Sequence, residues 1–364
     1  MRQSPLGADS STLLPLPQTF PVKRMGLKRS QELRNRNQGG KIMTVPSPKR
    51  VTREQYQYTV GPDIQPVLEI DAGEEIILET LDCFSGMVTD SSQVFNSVAE
   101  VLAIVPGLNP VTGPVAVRHA EVGDVLAVHV MEIQVGSVNG KAITALFPDF
   151  GGLCNPYSIV QEIGPDTKVC DIRDGVITFP LRSGRHIDLP VRPMIGTIWT
   201  APAVECRMSY VYDAHNGGNI DCPELGPGYT IYLPVHVPGG MLSVGDIHAC
   251  MGDSEITGVA METAGDVHVR IDLIKAADAR LLSCPQIECE RTIGSVGCDF
   301  GRPLGDNVKI AFRDLVNRLH RFHGFDKMDA YELLGQVAEV RVHQTLDNWN
   351  AVFVKLDKRF LSGG

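Results

Sequence analysis

The sequence lacks any long apolar run: no stretch approaches the roughly 18 consecutive apolar residues that a membrane-spanning helix needs. Its start also lacks the order of a secretory signal, in which a charged segment precedes an apolar one, because prolines interrupt residues 13–20. These absences predict a protein of the cytoplasm without a membrane partner.

Cysteine pairing motifs are absent as well. The nine cysteines are an odd number and form no C-x-x-C pair, which argues against a disulfide framework and against a zinc knuckle. Cys222 and Cys250 adjoin acidic motifs, but a nucleophilic cysteine needs an activating base beside it. We interpret the cysteines as reduced thiols.

Positive charge is scarce outside the first 60 residues. Those residues contain eleven Lys and Arg against three Asp and Glu, whereas the remainder contains 22 against 40. An acidic body argues against nucleic acid as a partner. Residues 1–50 are polar, basic and almost without aromatic side chains, a composition that cannot bury enough apolar surface to fold. We predict a disordered basic leader, either an organellar transit peptide or a stretch upstream of a second start at Met43.

The rest of the chain contains a repeated two-residue alternation of apolar and polar side chains. With 36 glycines and 24 prolines in turn positions, this alternation predicts many short strands and a β-sandwich or barrel. The predicted strands cover residues 66–70, 75–80, 115–118, 125–130, 231–237 and 267–273.

Near the C-terminus the apolar period becomes helical. A first helix is predicted over residues 308–322, with Asp306 as its N-cap and Gly324 as its stop, and a second helix runs from about Asp326 to Val337. A final strand is predicted around residues 352–356. The expected fold class is mainly β (α+β), with β-sandwich or barrel subdomains and a C-terminal helical pair.

The expected domain boundaries follow from these patterns. A body over residues 51–357 is divided into a first β subdomain (about 60–200), a motif-bearing β subdomain (about 201–305) and the helical pair (about 306–345).

The densest polar cluster contains two pairs of residues with i, i+2 spacing. Asp246 is followed by His248, and Asp253 is followed by Glu255. In extended backbone this spacing points both side chains of a pair to one face, and Gly252 permits a bend between the pairs. Four polar groups can then converge on one pocket.

Each of these residues also has an ordinary structural explanation. Asp after Gly is common in turns, and a single histidine such as His248 is more often a hydrogen-bonded core residue than a ligand. Their joint arrangement, with Asn219 and Asp221 entering from the other end of an apolar strand, favours a functional site. Carboxylate and imidazole together suit Zn²⁺ or another divalent first-row metal.

The polar cluster belongs to a longer series of motifs: Gly-Gly-Asn-Ile-Asp (217–221), Leu-Pro-Val-His-Val-Pro-Gly (233–239), Leu-Ser-Val-Gly-Asp-Ile-His (242–248), Met-Gly-Asp-Ser-Glu (251–255), Asp-Cys-Phe-Ser-Gly (82–86) and Asn-Pro-Val-Thr-Gly-Pro (109–114). These motifs and their order resemble those of the acetamidase/formamidase family, in its shorter bacterial-type branch, over roughly residues 60–357.

This resemblance implies a homo-oligomeric enzyme that hydrolyses small linear amides, such as formamide or acetamide, to carboxylate and ammonia with the help of a divalent metal, Zn²⁺ first. Such a metal polarises the carbonyl and activates water. Resemblance and spacing together suggest these roles: metal ligands Asp221, Asp246 and His248; Glu255 as general base and then acid, with Asp253 also catalytic; and substrate contacts from Asn109, Asn219 and Asp82.

Two departures from the family pattern leave alternatives open. Many members have Gln where this chain has Met87, and the longer amidases have Gln at Met251. One alternative is hydrolysis of another C–N bond, in a urea-like or cyclic amide. The other is a binding protein that keeps the fold without catalysis. A serine nucleophile is less favoured, since no G-x-S-x-G elbow surrounds Ser243 or Ser254.

Overall fold

Strands dominate the computed structural model, which describes residues 47–154, 164–279, 282–346 and 349–361. Strands account for 41% of the chain and helices for 15%, which confirms the predicted mainly β class. The strands are β1 (Lys49–Val51), β2 (Tyr56–Gln57), β3 (Thr59–Val60), β4 (Leu68–Ile70), β5 (Glu75–Glu79), β6 (Val111–Val117), β7 (Val125–Val135), β8 (Lys141–Leu146), β9 (Asp166–Arg173), β10 (Val176–Pro180), β11 (His186–Pro190), β12 (Met194–Trp199), β13 (Arg207–Met208), β14 (Tyr212–Asp213), β15 (Gly217–Asn219), β16 (Thr230–Pro234), β17 (Leu242–His248), β18 (Glu262–Thr263), β19 (Gly265–Ile274), β20 (Gln286–Glu288), β21 (Thr292–Gly297), β22 (Glu339–Leu346) and β23 (Trp349–Asp357).

The described strands form two large sheets and one small ribbon. The first sheet has nine strands in the order β1-β5-β19-β7-β16-β20-β21-β23-β22. The second has twelve: its main path is β11-β10-β9-β8-β18-β17-β12-β15-β14, and β6 joins it beside β17 together with β2 and β4. Strands β3 and β13 pair separately.

The main core lies between the two large sheets. Leu126 and Val267 of the first sheet and Ile195 and Val244 of the second are all fully buried in one apolar cluster. Side chains alternate between the two faces of a strand, so each sheet contributes every second residue to this layer. Strand β17, like its neighbours β6 and β12, is buried at every position. Polar residues on β17 are therefore held deep in the protein.

The described helices are α1 (Val98–Leu102), α2 (Ala276–Ala279), α3 (Leu304–His323) and α4 (Lys327–Val337). The predicted C-terminal pair is confirmed as α3 and α4: Gly324 ends α3 with φ of 74°, and the Asp326 side chain caps α4 by accepting from the Met328 N–H. The prediction that Asp306 caps α3 is wrong. The helix begins after Pro303, and Asp306 lies in its first turn, where it pairs with Lys309 Nζ at 3.2 Å.

Several boundaries also differ from expectation. The helical pair does not extend to 345, because β22 begins at Glu339 and pairs with β23. Strands from the two expected β subdomains pair with each other, as in β7 with β16 and β12 with β17. The expected leader lies outside the described residues up to position 46, and β1 already begins at Lys49 within it. No helix in the described ranges is both long and apolar enough to cross a membrane.

Candidate active site

Four neighbouring strands of the twelve-stranded sheet bring polar side chains together. In the register of β15 with β12, Asn219 lies opposite Thr197. Strand β12 pairs on its other side with β17, and the last residue of β17, His248, lies opposite Glu262 of β18. In the pairing of β12 with β17, Thr197 lies opposite Gly245 and His248 lies opposite Met194, so these polar residues lie within three positions of one another on adjacent strands.

Two aspartates near these residues have backbone in the left-handed region. Asp221 has φ of 45° and Asp246 has φ of 56°, a conformation that Asp tolerates better than most residues but that still costs energy. Gly196 allows their approach: a Cβ there would lie 2.6 Å from Asp246 Oδ2 and 2.7 Å from Asp221 Oδ1. The two carboxylates therefore meet over a glycine.

His248 lies at the centre of the acids. Its Nε2 is 3.3 Å from Glu262 Oε1, 3.5 Å from Asp246 Oδ2 and 3.9 Å from Asp221 Oδ1. The expected convergence of Asp246 and His248 is therefore present, with both side chains essentially buried.

Glu255 reaches the same cluster from a tight turn. Residues 253–255 form one turn of 3₁₀-helix, with φ of 77° at Ser254 and 44° at Glu255. Gln344 of β22 donates from Nε2 to Asp221 Oδ2 at 2.6 Å and approaches Glu255 Oε2 at 3.5 Å. One donor atom each from Asp221, His248 and Glu255 lie within 4.8 Å of one another.

Asp253 does not join Glu255, which corrects the expectation that the two face the same way. The 3₁₀ turn replaces the extended backbone that the i, i+2 argument assumed. Asp253 instead forms an ion pair with Arg341, whose Nε lies 3.3 Å from Asp253 Oδ2, and its side chain is 49% exposed. Its position outside the buried cluster argues against direct catalysis.

Two asparagines extend the cluster. Asn109 Nδ2 donates to Asn219 Oδ1 at 3.0 Å, and Asn219 Nδ2 donates to Asp221 Oδ2 at 2.8 Å. The Thr197 hydroxyl also donates to Asn219 Oδ1. These bonds orient both amides, because an amide oxygen that accepts cannot exchange places with its nitrogen.

Asp82 is close to the site, but its carboxylate serves the local turn. Its Oδ1 accepts from the backbone N–H groups of Phe84 at 2.9 Å and Gly86 at 3.0 Å. A cavity adjoins the acid cluster, and Cys83 is among the described residues that line it. Asp82 is not. The expected substrate contact is thus replaced by a capping role.

Burial shapes the charge of the cluster. It raises the pKa of Asp221 well above its usual range, and the charges of Glu255 and Asp246 raise it further. Burial also raises the pKa of Glu255 to about 7 and that of Glu262 to about 8. Although burial disfavours a charged imidazole, Glu262 and Asp246 raise the pKa of His248. Four buried carboxylates around one histidine need protons or a cation to offset their charge.

The residues present fit a divalent metal. Both ring nitrogens of His248, Asp221 Oδ1 and Glu262 Oε2 are buried without a hydrogen-bond partner, and buried polar atoms in proteins are nearly always satisfied. A mixed nitrogen and carboxylate donor set suits zinc and similar first-row ions. Asp246 belongs to a second group, with Cys83 and Glu262, whose donor atoms also lie within 4.8 Å of one another.

The comparisons with known proteins were decisive for the family. The model of the acetamidase/formamidase family matches residues 47–211 and 208–356. The chain belongs to this family.

Solved members of the family have similar structures. An acetamidase from Yersinia enterocolitica is 35% identical, with a TM-score of 0.79 over 88% of this chain and 95% of that one. An acetamidase from Bacillus halodurans is 27% identical, with a TM-score of 0.75 over 85% and 98%. The formamidase from Methylophilus methylotrophus is 27% identical over 262 residues, 59% of this chain and 63% of that protein. The matched region thus spans less than two thirds of that formamidase.

Within this family member, several site residues were not predicted from sequence: Cys83, Thr197, Glu262 and Gln344. Glu262 had a usable signal, because an acid within the apolar stretch 258–264 needs a polar partner. Thr197 had none, because a threonine in a strand is unremarkable. Gln344 had none either, because its role depends on a strand pairing that the sequence does not reveal.

The acid cluster of this family member opens into a cavity of about 210 Å³. Asp246, Glu255 and Glu262 line it together with Asn109 and Asn219. Carboxylates and amides thus face a space that can hold a small molecule.

Proposed function

We propose that this protein hydrolyses small amides to a carboxylate and ammonia with the help of a divalent metal, Zn²⁺ first. One observation carries the proposal: buried carboxylates and a histidine with unsatisfied atoms converge beside a cavity that two oriented asparagines also line. The names of the matched acetamidases and of the formamidase support an amide substrate.

Asp221, Asp246 and His248 would hold the metal. When bound, such an ion supplies Lewis-acid polarisation of a carbonyl and lowers the pKa of water. The four carboxylates of the cluster would otherwise confine several negative charges in a buried volume, so a dication also relieves their mutual repulsion.

Glu255 is the proposed proton carrier. It is buried, lines the cavity and has its pKa raised to about 7, which suits a group that must both accept and donate a proton near neutral pH. It takes a proton from the attacking water as the oxygen–carbon bond forms. The same proton passes to the amide nitrogen as the carbon–nitrogen bond breaks, which releases ammonia.

Asn109 is proposed to bind the amide carbonyl. One N–H of its side-chain amide is used by Asn219, and the NH₂ group has a second hydrogen available for a substrate oxygen. A donor already fixed in orientation stabilises the developing negative charge without reorganisation.

The two departures from the family pattern leave the lining of the acid-cluster cavity unchanged. Neither Met87 nor Met251 is among its described lining residues, although Met251 lines a neighbouring cavity that Glu255 also borders. Met87 is 49% exposed. Substitution at these positions therefore leaves the proposed machinery in place.

The decisive experiment replaces Glu255 by glutamine and measures ammonia release from formamide and acetamide. Loss of a general base and acid lowers rates by about 10²–10⁴-fold, and we expect kcat to fall in that range with an unchanged circular dichroism spectrum. The matched control is Asp253→Asn in the same turn, which should keep most activity because Asp253 is ion-paired with Arg341 outside the cluster. Wild-type rates in Glu255→Gln would contradict the assignment.

We also propose a cytoplasmic homo-oligomer. Cys222, Cys284 and Cys298 are buried free thiols, as expected in a reducing compartment. Met328 and Tyr331 lie one turn apart on α4 and are 67% and 64% exposed, which suits a subunit contact. Light scattering after size exclusion tests this: a monomer mass would contradict it.

A further inference from the structure

The cavity beside the acid cluster is larger than a formamide or acetamide molecule requires. Its volume is about 210 Å³, whereas an apolar protein cavity of about 150 Å³ is enough to bind benzene. Formamide has three heavy atoms and acetamide four. Most of the space would be left empty by either substrate.

One wall of the cavity is apolar. Helix α1 contributes Val98 and Val101, and Phe84 and Phe147 contribute aromatic rings. These four residues belong to an apolar cluster of their own, separate from the core between the sheets. Contact with this wall adds no binding free energy for the formyl hydrogen of formamide and little for the methyl group of acetamide. The hydrophobic contribution grows with the apolar area that is buried.

A second part of the wall consists of aromatic rings that hold one another. Tyr210 stacks on Trp349 with ring centroids 6.0 Å apart and planes 7° apart. Phe150 meets Trp349 edge-on, at 6.3 Å and 82°. All three rings line the cavity. Rings fixed by mutual packing form a pre-organised surface for another flat apolar group.

Resting on the proposed amide hydrolysis, we propose that the preferred substrates are primary amides with an apolar acyl group about the size of a benzene ring. The carboxamide lies at Asp246, Glu255 and Glu262, and the acyl group lies against α1 and the rings around Trp349. Burial of the acyl group supplies binding energy that formamide and acetamide cannot supply.

Phenylacetamide and acetamide form the matched pair for the test, because both have an unconjugated carbonyl and differ only by the phenyl ring. The zinc-loaded wild-type protein is assayed for ammonia release from each. One methylene in an apolar pocket changes kcat/KM by about 10-fold or more, so we expect kcat/KM for phenylacetamide to exceed that for acetamide by at least about 100-fold. Equal values, or a preference for acetamide, would overturn the inference and leave amide hydrolysis intact.

Filling the cavity tests its role directly. Val98→Phe and Leu108→Trp add bulk at two separate positions of the lining, so a folding defect in one leaves the other informative. Each should lower the ratio of kcat/KM for phenylacetamide to that for acetamide by about 10-fold or more. Val122→Phe is the control, because Val122 is 63% exposed and is not among the described lining residues. An unchanged ratio in both filled variants would refute the assignment.

Binding separates this inference from the proposed function. Titration calorimetry of the zinc-loaded Glu255→Gln variant, in which hydrolysis should be too slow to disturb the isotherm, should show phenylacetamide binding at least about 10-fold more tightly than acetamide. If no amide is hydrolysed, the proposed function fails, and these dissociation constants still decide what the cavity accepts. Equal affinities would overturn the cavity assignment.

Discussion

The side chain of Gln344 contacts two acids of the cluster, Asp221 and Glu255. Its Nε2 lies 2.6 Å from Asp221 Oδ2 and 3.5 Å from Glu255 Oε2. Its Oε1 is buried, has no hydrogen-bond partner and belongs to a cavity-lining residue. A buried acceptor left unsatisfied beside a substrate cavity is suited to receive an N–H from the substrate amide.

Replacing Gln344 by methionine, which has a similar shape, should therefore lower kcat/KM for amides. A hydrogen bond between neutral groups contributes about 0.5–1.5 kcal/mol, which corresponds to a loss of about 2- to 10-fold. Gln286→Met is the matched control, because Gln286 Nε2 donates to buried Asp314 Oδ2 at 2.6 Å in the same way, outside the site. Steady-state ammonia release measures both variants, and equal losses in the two would show that Gln344 acts only through folding.

At the scale of an element, strand β22 supplies the site through a bulge. The pairing of β22 with β23 shifts register between Val342 and Gln344, and consecutive residues His343 and Gln344 are both fully buried. A bulge bends its strand and changes the direction of the neighbouring side chains. Gln344 lies directly after this register shift and reaches Asp221.

Glu224 anchors this strand to the segment that carries Asp221. Its Oε1 accepts from Arg341 of β22 and from Lys355 Nζ of β23 at 3.0 Å, and its Oε2 lies 3.6 Å from His343 Nε2. Burial by itself raises the pKa of Glu224, but His343, Arg341 and Lys355 outweigh it and hold the pKa well below its usual range. The carboxylate is therefore charged in the folded protein and stabilises it.

Glu224→Gln should lower the free energy of unfolding by about 3 kcal/mol at pH 7, because removing one partner of a buried ion pair leaves the others uncompensated. Since the folded pKa is depressed, this stabilisation is present above the ordinary pKa of about 4.5 and is lost as the pH falls below it. Urea unfolding at pH 7 and below pH 4.5 measures the difference from wild type, which should shrink in acid.

Glu339→Gln is the control for this change. Glu339 also approaches Lys355, at 3.5 Å, but its side chain is 70% exposed, and exposed pairs contribute about 0–1 kcal/mol. A loss in Glu339→Gln as large as in Glu224→Gln would contradict the anchoring role.

At the scale of the whole molecule, burial of the acid cluster lowers the stability of the folded protein, and a bound cation can offset this loss. Asp221, Asp246, Glu255 and Glu262 are all buried within a chain of net charge −10. An ion that binds only the folded state adds stability by mass action, about 2.7 kcal/mol at a concentration one hundred times its dissociation constant.

Chelation should therefore lower the melting temperature by several degrees, and Zn²⁺ should restore it. Differential scanning calorimetry of wild type and Asp221→Asn checks this, because the variant should gain less from zinc. Glu339→Gln, whose exposed side chain lies outside the cluster, should retain the full gain. A wild-type melting temperature indifferent to both chelator and zinc would contradict a metal in the cluster.

The sequence by itself determined what depends on local order. The two-residue alternation predicted strands such as β5, β7 and β19, and Gly324 and Asp326 marked the junction of α3 and α4 because each acts within one turn of its own helix. The i, i+2 spacing of Asp246 and His248 predicted their convergence, although Asp246 has φ of 56° and not the extended backbone that the prediction assumed. Asp253 and Glu255 do not converge, because a single 3₁₀ turn with two positive φ values replaced the strand that spacing implied.

Only the tertiary structure decided which residues complete the site. Asn109 and Asn219 are separated by 110 positions and Gln344 and Asp221 by 123, and their contacts arise from sheet order, register and a bulge. The cavity wall likewise joins α1 to rings near residues 147–150 and 349. Local periodicity specifies which face of a strand is apolar, whereas the pairing of distant strands depends on the packing of the whole core.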